Sequence, residues 1–489
     1  MMRKRLTAGL LCLLITAGTV SCASEQGRTE SQNSGMDTNT EQTTAEVVTG
    51  PEGTLMAADF GGETIKWYLW DLNGIEISEE TGDIIKDAVY KRNRDVEERY
   101  NVNFAYTSSA GHLADWDKWF TTCQTSVMAG DAAMDIVGGY GYYMSAVAID
   151  SGIFFNLNDV EALDFEQPWW AGRMHETASI GGNLYTIVGN VDPGYYGQTQ
   201  TMVFNKDLAQ ELNIGDLYAL VGNGAWTFDK LVEYSKLSSA DLDGDGTYGE
   251  NDRYGLALED YAGIDAFNSG FDVKYTEYDA DGVPSVPGLT EKITDVITSM
   301  CDFVINDPSV YFNLKKMDGD AVNMFAKGNT LFSPKGFSGL HGMRELELDF
   351  GILPYPKWDE AQPEYYSANA IHNTTVFAIP ITADTERAGC ILEAMSCLGY
   401  QNVLPEYYER ALKGKGVRDD ESEEMLDIIF NQFRFDFTYI YSYAFGNVQA
   451  PSMMMRIALQ KKNKPITSLW TSYEKVFSST MERLIGSLQ

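Results

Sequence analysis

Histidine is scarce in this chain: four in 489 residues, His112, His175, His341 and His372. None sits in an HExxH or similar metal spacing, and no GxSxG elbow, P-loop or dinucleotide fingerprint occurs. Nothing singles out a catalytic pair among the 71 acidic residues, so no catalytic residue is assigned. Basic residues are also few, 36 against 71, for a net charge of −35. Such a surface repels phosphate backbones and anionic headgroups, which excludes nucleic acid as a partner. Cysteine is sparse: beyond Cys12 and Cys22 there are Cys123, Cys301, Cys390 and Cys397, with no CxxC pair. Cys390 and Cys397 fall in a helical pattern that separates them by about 10 Å, too far to bridge. All four are expected as buried thiols. After the first twenty residues there is no run long and apolar enough to span a bilayer.

What is present begins with a leader. Arg3, Lys4 and Arg5 precede an apolar stretch from Leu6 to Val20, followed by Ser21 and Cys22. The pattern predicts a signal peptide over 1–21. The run Thr19-Val20-Ser21-Cys22 resembles a bacterial lipobox, although Thr19 departs from its aliphatic preference. Cys22 is then the lipidated first residue; ordinary cleavage with Cys22 incidental is the alternative. Residues 22–58 are rich in Ser, Thr, Gln, Glu and Gly and read as a flexible tether. These features predict an extracytoplasmic protein, lipid-anchored to the outer face of the bacterial cytoplasmic membrane, with the lipid as its only membrane contact.

The body alternates two periods. "TIKWYLW", "VNFAYT", "MDIVGGYG", "DFGILPYP" and "TTVFAIP" read as strands. Residues 83–100 and the stretch after Thr290 read as helices, as do 388–398, 425–433 and 470–484. Strands alternating with helices imply an α/β fold, and the length implies two or more lobes.

The stretch DLDGDGTYGEND places Asp241, Asp243, Asp245, Gly246 and Asp252 at EF-hand loop positions 1, 3, 5, 6 and 12. Strand-like sequence follows from Tyr254, where an EF-hand would have its exit helix. The loop therefore reads as a structural Ca²⁺ staple, held by the Asp241, Asp243, Asp245 and Asp252 carboxylates and the Thr247 carbonyl, with a metal-free Asp/Gly turn as the alternative. The acidic turns at 279–282 and 317–320 lack this spacing and read as plain turns.

"FNKDL", "GAWTFDKLVEYSKL", "DRYGLAL", "NMFAKGNTLFSPKGF", "DFGILPYPKWDE" and "VFAIP" occur in that order. The series resembles the family 1 extracellular solute-binding proteins of bacterial ABC importers, the group that includes maltose-binding protein. The resemblance covers nearly all of the body and implies a two-lobed periplasmic-binding-protein-like fold with a hinge and an interlobe cleft. The N-terminal lobe would take 59–200 plus 370–420, and the C-terminal lobe 201–369 plus 421–489. Chain crossings are expected at 195–201, at 367–373 and within 415–440. The function implied is that of a monomeric solute receptor, binding a carbohydrate and delivering it to the permease transmembrane subunits.

A sugar presents an apolar C–H face and a rim of hydroxyls, which suits aromatic faces and polar side chains at strand ends. Candidate ligand-binding residues are Trp70, Asp71, Tyr140, Tyr142, Tyr143, Asn190, Tyr195, Tyr196, Phe337, Asn369 and His372. For each of them core packing or loop anchoring is the competing reading. Trp169 and Trp170 read as mainly structural. A receptor for a peptide or another small polar solute remains open as the alternative. A surface glycoside-active enzyme and an adhesion protein are the rivals from other classes.

Overall fold

The computed structural model of the chain describes residues 51–313, 324–411, 420–446, 449–462 and 464–488. The leader, Cys22 and most of the expected tether lie outside the described residues, as does the turn at 317–320. The described strands are β1 (Glu63–Trp70), β2 (Val102–Ser109), β3 (Ile136–Tyr140), β4 (Gln200–Asn205), β5 (Tyr254–Leu258), β6 (Glu277–Tyr278), β7 (Pro284–Ser285), β8 (Val310–Phe312), β9 (Thr330–Gly336), β10 (Phe350–Leu353) and β11 (Thr375–Ala378).

Two main sheets follow from their pairing. The first has the order β11-β3-β1-β2, with β1 parallel to β2 and β3, and β11 antiparallel to β3. The second has the order β10-β4-β9-β5-β8, with β5 parallel to β8 and β9. β3 and β5 are buried along their whole length, the pattern of strands covered on both faces by helices. β6 and β7 form a separate hairpin whose turn is the acidic stretch at 279–282.

The helices start and stop where their ends can be satisfied. Asp83 accepts from the amides of Ile85 and Lys86 at the start of helix Ile84–Tyr100, which ends on left-handed Asn101. Thr290 Oγ1 accepts from Ile293 N at 3.2 Å and opens helix Glu291–Asn306, whose Ile293, Val296, Ile297, Met300 and Val304 are all buried. Helix Ile84–Tyr100 also carries a charge on its buried face. Arg92 is fully enclosed and donates to the carbonyls of Asn190, Val191 and Met395. Burial lowers its pKa to about 10. Its guanidinium ties the chain before β4 to helix Thr385–Leu398.

Three chain segments lie side by side between the sheets. Gln200 N donates to Ala368 O and Ala370 N to Gln198 O, both at 2.9 Å. Ser367 N donates to Gln432 O and Arg434 N to Ser367 O, also at 2.9 Å. Residues 198–200, 367–370 and 432–434 thus form a hydrogen-bonded seam, at the place where the resemblance puts the hinge.

Two expectations need correction. Residues 51–58 are docked rather than free: Leu55 is buried, Tyr100 Oη donates to Met56 O at 3.1 Å and Arg99 donates to Glu52 O. One leucine and the backbone acceptors it brings are enough to fasten this polar segment. Of the four free cysteines, Cys123, Cys390 and Cys397 are buried, but Cys301 is only half-buried. The Trp169 and Trp170 indoles both donate to buried Glu393, at 2.7 and 3.0 Å, and pin their loop to helix Thr385–Leu398. Among the described residues no helix is long and apolar enough to cross a membrane.

Candidate solute cleft

In an open α/β sheet the carboxyl ends of parallel strands are where a ligand is met, because the loops that follow diverge there. On the first sheet those ends are Trp70, Ser109 and Tyr140, and two of the three carry rings. Trp70 stacks on Tyr140 at 5.0 Å and donates from Nε1 to Thr375 Oγ1 at 3.0 Å. His112 lies 4.7 Å from the Tyr140 ring. Helix Gly141–Ser151 begins directly after β3, so Tyr142 and Tyr143 project from its first turn. The Tyr142 ring meets His372 edge-on at 4.9 Å, and Tyr143 meets Tyr443 at 4.6 Å. Trp70 and Tyr140 are buried, Tyr142 and Tyr143 half-buried, and Asp71 exposed, accepting from Gly111 N at 3.3 Å. Burial raises the Tyr140 and Tyr142 phenols to about 12, so both remain neutral hydroxyls at physiological pH.

A second wall of charged residues gathers after strands of the second sheet and on helix Met454–Lys461, which packs on helix Tyr261–Gly270. After β5, Asp260 caps helix Tyr261–Gly270 by accepting from Gly263 N. After β9's buried run, Lys335 Nζ pairs with Glu259 at 2.7 Å. Arg456 forms a two-point ion pair with Asp265, Nε to Oδ1 at 3.2 Å and Nη2 to Oδ2, and its guanidinium lies over the Tyr261 ring at 4.6 Å. Burial raises Asp265 to about 6 against the opposing pull of Arg456.

Tyr439 and His372 join the walls. Their rings stack at 4.1 Å. His372 Nε2 lies 2.7 Å from the Tyr439 carbonyl and 3.0 Å from Ser442 Oγ. The carbonyl can only accept, so Nε2 carries the proton. Burial lowers His372 to about 4, with Arg456 adding to the effect, so the ring is neutral.

The structure brings Trp70, Asp71, Tyr140, Tyr142, Tyr143 and His372 into one neighbourhood. The other expected residues lie elsewhere. Asn190 uses its side chain internally, donating to Trp169 O at 2.8 Å and accepting from Tyr196 Oη at 3.0 Å. Tyr195 and Tyr196 are buried against each other at 4.2 Å. Asn369 sits in the hinge, donating to Tyr195 O at 2.7 Å. Phe337 is buried in a second-lobe core against Phe430, at 4.9 Å. His112, Asp260, Tyr261, Asp265, Arg456 and Tyr439 lie near these candidates without being among them. The strand-end logic that selects Trp70 also selects Asp260 and Tyr261, just after "YGLAL"; no local signal marks Arg456 or Tyr439.

The Asp-rich loop forms a compact turn with left-handed Gly244 and Gly246. Carboxylate oxygens of Asp241, Asp243 and Asp252 lie within 4.8 Å of one another. Three converging carboxylates are the hard oxygen donors that Ca²⁺ takes. The Asp245 carboxylate is turned to its own neighbour, accepting from Thr247 N and Oγ1, both at 2.7 Å. β5 starts at Tyr254, directly after the loop, so no exit helix exists.

No family model and no curated relative matches the sequence. Among solved structures, the chain is similar to a sugar transporter from Rhizobium etli in an open conformation, at 13% identity over 85% of this chain and 99% of that one, with a TM-score of 0.60. It is similar to the apo form of RafE from Streptococcus pneumoniae, at 14% identity over 86% and 98%, TM-score 0.53. It also matches an ABC substrate-binding protein from Listeria monocytogenes in complex with cycloalternan, at 12% identity over 86% and 99%, TM-score 0.50. At such identities the likeness carries architecture alone, and the chain has the two-lobed α/β fold of the extracellular solute-binding proteins.

Proposed function

We propose that the protein is a lipid-anchored receptor of an ABC importer, capturing an oligosaccharide between its lobes and delivering it to the permease. The observation that carries this reading is the pairing of walls at the strand ends: stacked neutral rings on one side, hydrogen-bonding ions on the other. Rings suit the C–H face of a sugar and the ions suit its hydroxyls. The structural neighbours add support, since one is named a sugar transporter and another holds cycloalternan. Contacts made by both lobes exist only when the cleft is closed, so binding shifts the lobes toward the shape a permease can recognise.

A glycan panel read by thermal shift tests the reading. A bound glycan at about 100 times its dissociation constant adds roughly 2.7 kcal/mol of stability. Small-angle scattering then shows compaction. Tight binding of peptides with no response to any glycan replaces the solute class, and steady release of shortened sugars makes the protein an enzyme.

Two further parts belong to the same reading. Cys22 carries the lipid, and Cys22→Ala releases the protein from membranes; retention of the variant refutes the anchor. Ca²⁺ is held by Asp241, Asp243 and Asp252, joined by Asp245 after its side chain turns from Thr247, and by the Thr247 carbonyl. Chelator then lowers the melting temperature and Asp243→Ala removes that sensitivity, whereas identical curves with and without millimolar calcium exclude the staple.

A further inference from the structure

A cavity of about 270 Å³ lies between the lobes, and no residue at the carboxyl end of a parallel strand lines it. Its walls are helix Tyr261–Gly270 from Ala262 to Ser269, the hinge around Gln200 and Asn369, the stretch from Arg434 to Tyr439, and hairpin β6–β7. The hairpin reaches the opposite lobe. Tyr278 Oη donates to Thr177 O at 2.6 Å, and Gly181 N donates to Gly282 O at 3.0 Å.

Two observations describe an occupant. First, four residues around the cavity each keep a buried side-chain oxygen with no hydrogen-bond partner: Gln200 Oε1, Asn369 Oδ1, Thr276 Oγ1 and Ser452 Oγ. Gln200, Asn369 and Ser452 are at most 4% exposed. The two amide nitrogens are engaged, on Gln198 O and Tyr195 O, which fixes the unpaired ends as acceptors. Buried oxygens are rarely left unpaired, because desolvation without a partner is costly. Second, the carboxylates of the walls are already committed. Asp265 holds Arg456, Asp272 lies 3.7 Å from Arg434, and Asp436 accepts from Thr438 N, Tyr439 N and Tyr275 N. Lys274 is exposed.

We propose that this cavity is a second small-molecule site, taking an uncharged polyhydroxylated molecule of about monosaccharide size. Hydroxyl groups donate to the two amide oxygens and exchange hydrogen bonds with Ser452 and Thr276. The rings of Tyr275 and Tyr439 supply apolar faces beside them. The space equals that of about nine waters at roughly 30 Å³ each, enough for a ring with its hydroxyls. One wall is the hairpin that clasps both lobes, so occupancy biases the lobe arrangement and thereby the cleft. The cavity shares Asp265 and Tyr439 with the strand-end cleft, but its unpaired acceptors on Gln200, Asn369, Thr276 and Ser452 lie at no carboxyl end of a parallel strand, and they carry the proposal beyond the receptor reading.

The test is a crystal structure of the protein with myo-inositol, with glucuronate as a charged control, alongside thermal shift against concentration. Inositol is expected in the cavity on Asn369 and Gln200, glucuronate is not, and the thermal response saturates. Ser452→Val weakens the apparent affinity about tenfold through one lost hydrogen bond. Thr177→Trp, which intrudes from the facing lobe, removes the saturating response without touching the strand ends. Ordered waters alone in the cavity, with a linear thermal rise that both variants retain, would be the general effect of an excluded osmolyte and overturns the proposal. Inositol found only beside Trp70 and Tyr142 also overturns it, while leaving the receptor reading in place.

Discussion

On the first-lobe side of the cleft Trp70, Tyr140 and Tyr142 meet ring against ring, and His372 joins them as a neutral ring. On the second-lobe side Arg456 and Asp265, and Lys335 and Glu259, meet as ions. Both sides are largely withdrawn from water, but their costs differ. Rings lose little on leaving water, whereas ions need their partner or become expensive. The first wall can therefore be altered residue by residue, and the second only in pairs.

The sharpest break should come from splitting a pair. Arg456→Met leaves Asp265 buried without its cation and is expected to cost about 3–5 kcal/mol in urea unfolding. Arg456→Met combined with Asp265→Leu should recover most of that. Equal losses in the single and double variants would show that the pair is not coupled.

Acid should separate the walls next. His372 is lowered to about 4 from 6.5, so its stabilising contribution is complete above pH 6.5 and is lost as pH falls toward 4. Asp265 is raised to about 6 from 3.8, so its contribution is complete below pH 3.8 and is lost as pH rises through 6. Each shift corresponds to about 3 kcal/mol, with opposite slopes over nearly the same window. His372→Phe should therefore leave a protein that loses stability between pH 4 and 6, and Asp265→Asn one that gains it. Parallel profiles would mean the two groups do not titrate as their surroundings dictate.

The smallest expected effect concerns the solute. Tyr142→Ala should weaken glycan binding by about 1–3 kcal/mol, because its half-buried ring is the accessible part of the stack. Asn190→Ala, at a residue that faces Trp169 and Tyr196 instead, should act on stability and leave solute affinity nearly unchanged. Equal affinity losses in both would erase the distinction between wall and scaffold.

How much of this was legible follows the same division. Period-two and period-3.6 patterns located β1, β3, β10, β11 and the helix after Thr290. The strand-end rule selects Trp70, Tyr140 and Tyr142, and the structure places their rings together. Asn190, Tyr195 and Tyr196, chosen for their place at a chain crossing, turn to partners within the protein instead, because a polar or aromatic residue near a crossing also serves to hold that crossing shut. Phe337 follows β9 directly yet turns into the core on Phe430. Arg456 was invisible because a guanidinium acquires its meaning from the partner it meets, and Asp265 is 191 positions away. The same holds for Arg92, whose three carbonyl acceptors come from two distant stretches.

The edge strand of the first sheet has a consequence for how the molecule is made. β11 pairs with β3 through Thr375 and Tyr140, and Tyr140 Oη reaches Asn373, 233 positions along the chain. Every strand of the second sheet is synthesised between those partners. The first lobe therefore cannot close its sheet as it emerges. It must wait, with one flank of β3 uncovered, until the other lobe's strands have appeared. Assembly is nested, not sequential, and a truncation anywhere before residue 375 leaves the earlier lobe with an open edge that can recruit another chain.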